Sequence, residues 1–378
     1  MKNKCIVIGG SNGIGLAIAQ KLQREFKEIL IFDIEKPSII LQNTRYIKFD
    51  LSKEDLNEYS DEFSCADALI ITAGIGRVAT FENLSLIEIE KIIKIDFVSS
   101  VKAIKLFYPV LQKNEEKYCM IFGSLAGDIS SPLFSVYGAC KAAINKIIES
   151  LNVELIKSGS SNRILCVKPI SFAGSSFNGQ QTDLSLLGDL AENSIKKMFE
   201  KSEMYIPMYK EICSGILARY NANPIEFGMS SFDYKVNKKR ISDRKMIKIG
   251  YLSGTFDLFH IGHLNLLKRA KQYCDYLIVG VHPDASHKGK ETYISFEERK
   301  EIVRSIKYVD KVVDSFKEDS DAWDLYHYDY LFVGSDYKGT DRFIRYEKYF
   351  SNKNVEIIYF EYTKETSSTQ LREALQKK

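Results

Sequence analysis

The sequence predicts an α/β protein made of two doubly wound parallel sheets, one following the other along the chain. Three observations carry that expectation. Short β-rich apolar runs alternate with longer amphipathic stretches, the rhythm of strand–helix–strand units. A glycine-rich turn, Gly9-Gly-Ser-Asn-Gly-Ile-Gly15, follows the first apolar run. The rhythm stops around 232–245 and then restarts, and 378 residues exceed the ~100–200 of one ordinary domain.

In the first half, the runs at 5–8, 29–32, 68–71, 119–122 and 164–167 read as core strands, with helices over 15–26, 86–111 and 137–157. Unbroken apolar runs of this kind suit strands covered on both faces. Lys238-Lys-Arg240 and Asp243-Arg-Lys245 form a charged joint. The expected organisation is therefore a domain at 1–231, a linker at 232–245 and a domain at 246–378. In the second domain, strands are expected at 247–252, 276–281, 311–313, 330–333 and 355–360, and a helix at 264–272. No repeat relates the halves, so they read as two unrelated units.

A hydrophobic fraction of 45% and a charged fraction of 27% are those of a globular enzyme. The net charge of +3 is too small to argue for nucleic acid or an anionic membrane as partner. Seven cysteines at 5, 65, 119, 140, 166, 213 and 274 form no C-x-x-C pair, which predicts reduced thiols, no metal site and a cytoplasmic location. No apolar run approaches the ~18 residues of a membrane span. All five histidines (260, 263, 282, 287 and 327) fall in the last third, so acid–base chemistry in the first two-thirds must use Tyr, Lys or carboxylates.

The turn at Gly9, Ser11, Asn12, Gly13, Ile14 and Gly15 opens a helix after a strand, the context in which glycines let the backbone approach a pyrophosphate. Asp33 ends the second strand, where a carboxylate can accept both ribose hydroxyls of NAD. Asp50 and the pair Ala73 and Gly74 follow the third and fourth strands, on the adenosine side. Tyr137 and Lys141 are four residues apart, one turn along a helix face. Lowering a tyrosine to a useful range, about two to three units, asks for roughly 3 to 4 kcal/mol, which the Lys141 ammonium beside a cationic nicotinamide can supply. Ser124 is placed to hydrogen-bond the substrate oxygen. Asp33 repels a 2′-phosphate, and Lys36 is the one nearby cation for it, so NADH is favoured over NADPH.

In the second half, Gly254-Thr-Phe-Asp-Leu-Phe-His-Ile-Gly-His263 passes from a strand into a helix. A helix N-terminus collects anions, and histidines on its first turn can donate to a phosphoryl group gaining charge.

The first half, 1 to about 230, resembles the short-chain dehydrogenase/reductase family. Asp96 stands where that family's catalytic tetrad usually has Asn. Lys168-Pro169-Ile170 lacks the usual Gly after Pro, and Gly174 aligns with the Thr that grips the nicotinamide. From about 245 onward, the chain resembles the HxGH nucleotidyltransferases, most closely the glycerol-3-phosphate cytidylyltransferase branch. That resemblance implies CTP as substrate, with Mg²⁺ riding on the triphosphate. It implies phosphate contacts for His260 and His263, and nucleotide or phosphate contacts for Gly254, Thr255, Phe256, Asp257, Lys288, Lys290, Arg299 and Asp336. Ser367, Ser368 and Thr369 match the superfamily's second phosphate-binding helix start, while Tyr362, with Lys364 nearby, replaces an arginine leading into it. Together the resemblances imply small-molecule substrates, a homo-oligomer (dimer or tetramer), and two steps: reduction of a carbonyl sugar phosphate such as ribulose 5-phosphate to a polyol phosphate, then its conversion to a CDP-polyol. The alternative is a cytidylyltransferase whose reductase-like half is a binding or oligomerisation module.

Overall fold

The computed structural model describes residues 1–171, 182–241, 247–284, 291–361 and 371. The chain divides into two compact units, Met1–Asp243 and Arg244–Lys378.

The N-terminal unit has strands β1 (Lys2–Ile8), β2 (Phe26–Asp33), β3 (Thr44–Lys48), β4 (Ala68–Ile71), β5 (Tyr118–Phe122), β6 (Ile164–Val167) and β7 (Met204–Tyr205). They form one sheet in the order β3-β2-β1-β4-β5-β6-β7, parallel throughout. Its helices are α1 (Gly13–Leu22), α2 (Ser60–Ser64), α3 (Leu86–Ile93), α4 (Ser99–Leu111), α5 (Ser135–Lys157), α6 (Gly188–Phe199), α7 (Ser214–Ala222) and α8 (Pro224–Asn237). Alternate residues of each strand feed two cores. Ile6, Ile8, Leu30, Phe32, Leu69 and Ile121 pack on one face, and Cys5, Val7, Ile29, Ile31, Ile70 and Met120 on the other. Each such side chain contributes about 1.5–3 kcal/mol when fully buried.

Three elements depart from the sequence expectation. α1 stops at Leu22, and Phe26, expected to end that helix, opens β2 instead, pairing in register with Lys2 and fully buried. The helix expected over 86–111 is interrupted by a π-helical turn, Lys94–Val98. Such a turn inserts a residue into the ladder and occurs often at functional sites. α8, started by Pro224 and by Asn223 accepting the Glu226 N–H, runs past Phe232 to Asn237, into the stretch expected as linker.

The C-terminal unit has strands β8 (Ile249–Gly254), β9 (Tyr276–Val281), β10 (Lys311–Asp314), β11 (Tyr330–Gly334) and β12 (Glu356–Phe360), in the order β10-β9-β8-β11-β12. All are parallel, and helices α9 (Ile261–Lys271), α10 (Phe296–Arg304), α11 (Asp319–Tyr326) and α12 (Asp341–Phe350) cover them. Leu252, Leu267, Val279, Phe332 and Phe360 form its core.

In each sheet the first strand of the unit lies between the second and the fourth, so the strand order reverses beside β1 and beside β8. Open parallel sheets bind ligands at the carboxyl ends of strands at such a reversal. The glycine-rich turn leaves β1 there, and the two-histidine motif leaves β8 there.

All seven cysteines are free. Among the described residues, no helix is long and apolar enough to cross a membrane, and no cluster of three or more His, Cys, Asp or Glu is placed to hold a metal.

Candidate functional site

At the end of β1, Gly9 has φ +86 and a Cβ there would lie 2.5 Å from Ala73 N. A Cβ on Gly15 would lie 2.0 Å from Gly9 O, whereas Gly13, φ +52, faces open space. Two of these glycines let backbones touch, and the third leaves room above the helix start. Asn12 caps α1, its Oδ1 accepting the Gly13 N–H at 2.8 Å. Ile14 packs into the core. Asp33 accepts the N–H of Ser11 at 2.9 Å and of Ile34 at 2.8 Å, which fixes the carboxylate against the turn. Asp50 is held by Ser52, accepting its N–H at 2.9 Å and its hydroxyl at 2.6 Å. Ala73 donates its N–H to Ile8 O at 3.1 Å, docking the end of β4 beside β1.

The structure brings Ser124, Tyr137, Lys141 and Asp96 together. Ser124, after β5, accepts the Ala126 N–H at 3.1 Å and hydrogen-bonds Tyr137. Lys141 Nζ lies 5.3 Å from the centre of the Tyr137 ring, donates to Phe122 O at 3.2 Å, and sits 3.2 Å from Asp96 Oδ1. Asp96 is fully buried, and its Oδ2 accepts the Ile75 N–H at 3.0 Å. Burial pushes the Asp96 carboxyl above its usual range, against the pull of Lys141. Burial pulls Lys141 down, yet Asp96 and Tyr137 carry it above its ordinary value. Lys141 draws the Tyr137 phenol down, as the sequence leads one to expect, but burial, with Asp96 acting in the same direction, outweighs it and holds the hydroxyl above its ordinary value.

Sequence reasoning missed one residue that shapes this site and a second role of another. Asn145, one turn beyond Lys141 on α5 and buried, donates to Ser124 O at 3.1 Å and to Asp128 at 2.9 Å. Its position eight residues after Tyr137 was the available signal. Gly74, read as a cofactor contact, also makes room for the charge pair: a Cβ there would lie 2.8 Å from Asp96 Oδ1 and 3.3 Å from Lys141 Nζ.

In the C-terminal unit, His260 is the N-cap of α9. Its Nδ1 accepts the Gly262 N–H at 3.1 Å, and the His260 N–H points to His263 Nδ1 at 3.4 Å. With each Nδ1 accepting, the neutral rings carry their proton on Nε2. Burial holds His260 below its ordinary value, favouring that neutral form. Phe256 and Leu258 have φ +54 and +49, a conformation costing about 1–3 kcal/mol each in non-glycine residues. Burial of Phe256 against the His263 ring, centroids 5.3 Å apart, holds the loop in this form. Gly254 lies against the Phe256 ring, and Thr255 Oγ1 is buried without a hydrogen-bond partner among the described residues.

Two of the expected nucleotide or phosphate contacts have protein partners of their own. Arg299 is fully buried, and its guanidinium donates to the carbonyls of Ile294 (3.0 Å), Thr255 (2.5 Å), His282 (2.7 Å) and Pro283 (2.6 Å). Five fork-like donors suit a knot of carbonyls as well as a phosphate. Asp257, also buried, accepts the N–H of Tyr293 and of Ile294 at 3.0–3.1 Å. Both residues tie the histidine loop to its neighbours. Asp336 is exposed, on a short turn after β11. Lys288, Lys290, Ser367, Ser368 and Thr369, with Gly174, Tyr362 and Lys364, lie outside the described residues.

Two parallel sheets, each carrying an anion-binding helix start at its strand-order reversal, define a pair of nucleotide-handling units. Comparison with known proteins agrees. The family model for short chain dehydrogenase matches residues 3–183, and the cytidylyltransferase-like model matches residues 251–374. The glycerol-3-phosphate cytidylyltransferase of Bacillus subtilis (strain 168) is 35% identical over 126 residues, 32% of this chain and 92% of that protein. The enzyme of the same name from Staphylococcus aureus (strain NCTC 8325 / PS 47) is 33% identical over 126 residues, 32% of this chain and 90% of that protein. An uncharacterized oxidoreductase of Saccharomyces cerevisiae is 23% identical over 177 residues, 43% of this chain and 58% of that protein. A short chain dehydrogenase from Burkholderia cenocepacia J2315, solved in complex with NADP, shares the fold at TM-score 0.51 and 15% identity, covering 60% of this chain and 97% of that one. The chain belongs to the cytidylyltransferase-like family in its C-terminal part, its N-terminal part matches the short chain dehydrogenase model, and it is an enzyme.

Proposed function

We propose that the two units catalyse consecutive steps, NADH-dependent reduction of a carbonyl sugar phosphate such as ribulose 5-phosphate to a polyol phosphate, then CMP transfer from CTP to give a CDP-polyol and pyrophosphate. The observation that carries this reading is the presence on one chain of the Ser124–Tyr137–Lys141 cluster and the His260–His263 helix start. Tethering two sites raises the effective concentration of a shared intermediate. If glycerol 3-phosphate were the acceptor, a dedicated reductase would be superfluous, so ribitol or another polyol is favoured. Such activated polyols suit donors for teichoic-acid-like or capsular polymers.

A nicotinamide dinucleotide fits the first unit, because the open space over Gly13 and the capped start of α1 leave a path for a pyrophosphate beside β1. When bound, it supplies the hydride. Ser124 orients the substrate oxygen, Tyr137 hands it a proton, and Lys141 supports the charge left on the phenol oxygen. Asp33 at the end of β2 would accept the ribose hydroxyls and repel a 2′-phosphate, which favours NADH although the Burkholderia protein is in complex with NADP.

In the second unit, Nε2 of His260 and of His263 would donate to the phosphates at the α9 start, stabilising charge that builds at the α-phosphorus. Mg²⁺ would accompany the triphosphate. Lys288, Lys290 and the Ser367–Thr369 segment remain part of this proposal as phosphate contacts. So do a homo-oligomeric state, dimer or tetramer, and a cytoplasmic location, which seven free cysteines favour.

Incubating the protein with CTP, NADH and a pool of sugar phosphates, then identifying the CDP-linked product by mass spectrometry, tests the reading. A reduced CDP-polyol is expected. Cytidylylation of added polyol phosphates with no carbonyl-dependent loss of NADH would instead leave the N-terminal unit a binding module.

A further inference from the structure

We propose that Asp96 is a positioning residue that keeps the Tyr137 hydroxyl protonated, and so extends carbonyl reduction to higher pH. The inference rests on the reductase reading above and concerns the pH range over which that site works.

The geometry starts from the π-helical turn at Lys94–Val98, on which the Asp96 side chain is fully buried. There Oδ1 lies 3.2 Å from Lys141 Nζ, and Oδ2 takes the Ile75 N–H at 3.0 Å. An ammonium on one oxygen and an N–H donor on the other both favour the carboxylate form. Gly74 packs against both partners, and any larger residue there would meet Asp96 Oδ1 at 2.8 Å. The pair is therefore enclosed by backbone and built into the fold.

Among the described residues, Lys141 and Cys140 from its own helix, Asp96 from the π-helical turn and Ser124 from the turn after β5 act on the Tyr137 hydroxyl. Burial pushes the Cys140 thiol up to about 11, so it is neutral at neutral pH, and where it ionises at alkaline pH it opposes the phenolate as Asp96 does. Ser124 is a neutral hydrogen-bond partner. Of the charged groups, the Lys141 ammonium favours the phenolate and the Asp96 carboxylate opposes it. An amide at position 96 would leave the ammonium unopposed and favour the phenolate.

The two directions of the reaction need opposite forms of Tyr137. In reduction, hydride from the reduced nicotinamide makes the new C–H bond. The carbonyl π pair moves onto oxygen, which takes the phenolic proton and leaves a tyrosinate. Oxidation runs the same transfers backwards and needs the tyrosinate first. Reduction is therefore lost as pH rises through the Tyr137 titration, and oxidation is gained over the same range. By opposing the phenolate, Asp96 moves that crossover upward.

The test uses the full chain with Asp96→Asn, with Asp96→Ser as a second neutral replacement and thermal melting followed by circular dichroism as the control for folding. Tyrosinate absorbance is titrated in the wild type and each variant, and in each again with Tyr137→Phe, so that the difference isolates the Tyr137 step. Removing the carboxylate should shift that step about one pH unit or more to lower pH. The alkaline limb of reduction and the onset of alcohol oxidation should both move to lower pH by the same amount. A Tyr137 step unmoved or raised in both variants overturns the proposal. The absorbance readout needs no substrate, so a wild-type protein that never oxidises NADH with a carbonyl compound would sink the reductase reading and still leave the Asp96 effect measured.

Discussion

His260 and His263 face each other with ring centroids 4.0 Å apart, and the backbone N–H of His260 points to Nδ1 of His263. The pair caps the helix, and occupying Nδ1 leaves Nε2 as the proton-bearing nitrogen, the atom that the proposed function turns toward phosphate. Replacing either with alanine should lower CTP-dependent pyrophosphate release by about 10²-fold or more, the scale for losing a donor to transition-state charge. Reductase turnover should persist in both variants. Equal loss of both activities would show that the substitution acts through folding.

The cap also predicts a pH dependence. Burial holds His260 below its ordinary value in the folded unit, so the unfolded chain takes up the proton first as pH falls. The contribution of this residue to stability is present above about pH 6.5 and is lost as pH drops through the folded value, when a protonated ring can no longer accept the Gly262 N–H. Asparagine caps helices without titrating. Melting curves at about pH 8 and about pH 5.5 should show a smaller acid loss in His260→Asn than in the wild type. Identical losses would mean that this titration does not govern acid stability.

Arg299→Met should cost stability before it costs affinity. Its guanidinium satisfies four backbone carbonyls from a fully buried position. Leaving buried acceptors unpaired costs about 1–3 kcal/mol each before water relieves some of them. Chemical denaturation should show the C-terminal unit destabilised by about 3 kcal/mol or more. An unchanged denaturation midpoint combined with a raised KM for CTP would return Arg299 to the phosphates.

Arg299 also shows where sequence reading stops. Its place in Phe296-Glu-Glu-Arg299 was legible, and so were the strands, because long apolar runs can go nowhere but the centre of a covered sheet. Whether a cation faces a ligand or a knot of carbonyls depends on where three distant loops converge, which no local pattern records. The π-helical turn at Lys94–Val98 escaped for a related reason. Lys-Ile-Asp-Phe-Val continues the amphipathic pattern of its flanks, and only packing decides that Asp96 turns inward to Lys141. Phe26 was read into a helix because an apolar residue after a polar turn fits either element until its partner strand is known. By contrast, Tyr137 and Lys141 could be paired from sequence, since both sit on one helix.

Asp33→Ala should weaken NADH and relax discrimination against NADPH. The carboxylate would accept ribose hydroxyls and repel a 2′-phosphate, and in the structure it also anchors Ser11 of the glycine-rich turn through a 2.9 Å hydrogen bond. The ratio of kcat/KM for the two cofactors is the readout, since a general loosening of the turn lowers both values together. A wild-type enzyme already strongly selective for NADPH would remove this role from Asp33.

Tyr137→Phe joins the two units in one measurement. In the proposed function the phenol oxygen only protonates the alkoxide formed by hydride transfer and has no part in CMP transfer. The variant should make no CDP-polyol from the carbonyl sugar phosphate, yet convert pre-reduced polyol phosphate at the wild-type rate. Supplying ribitol 5-phosphate, glycerol 3-phosphate and longer polyol phosphates one at a time would then rank the acceptors of the second site without the filter of the first. Phenylalanine keeps the ring that stacks on Phe134 at 4.3 Å and removes only the hydroxyl, so α5 should keep its packing. If the variant turns the carbonyl compound into a reduced CDP-product at the wild-type rate, with NADH present and no other reductase, the proton comes from elsewhere and the assignment of Tyr137 fails.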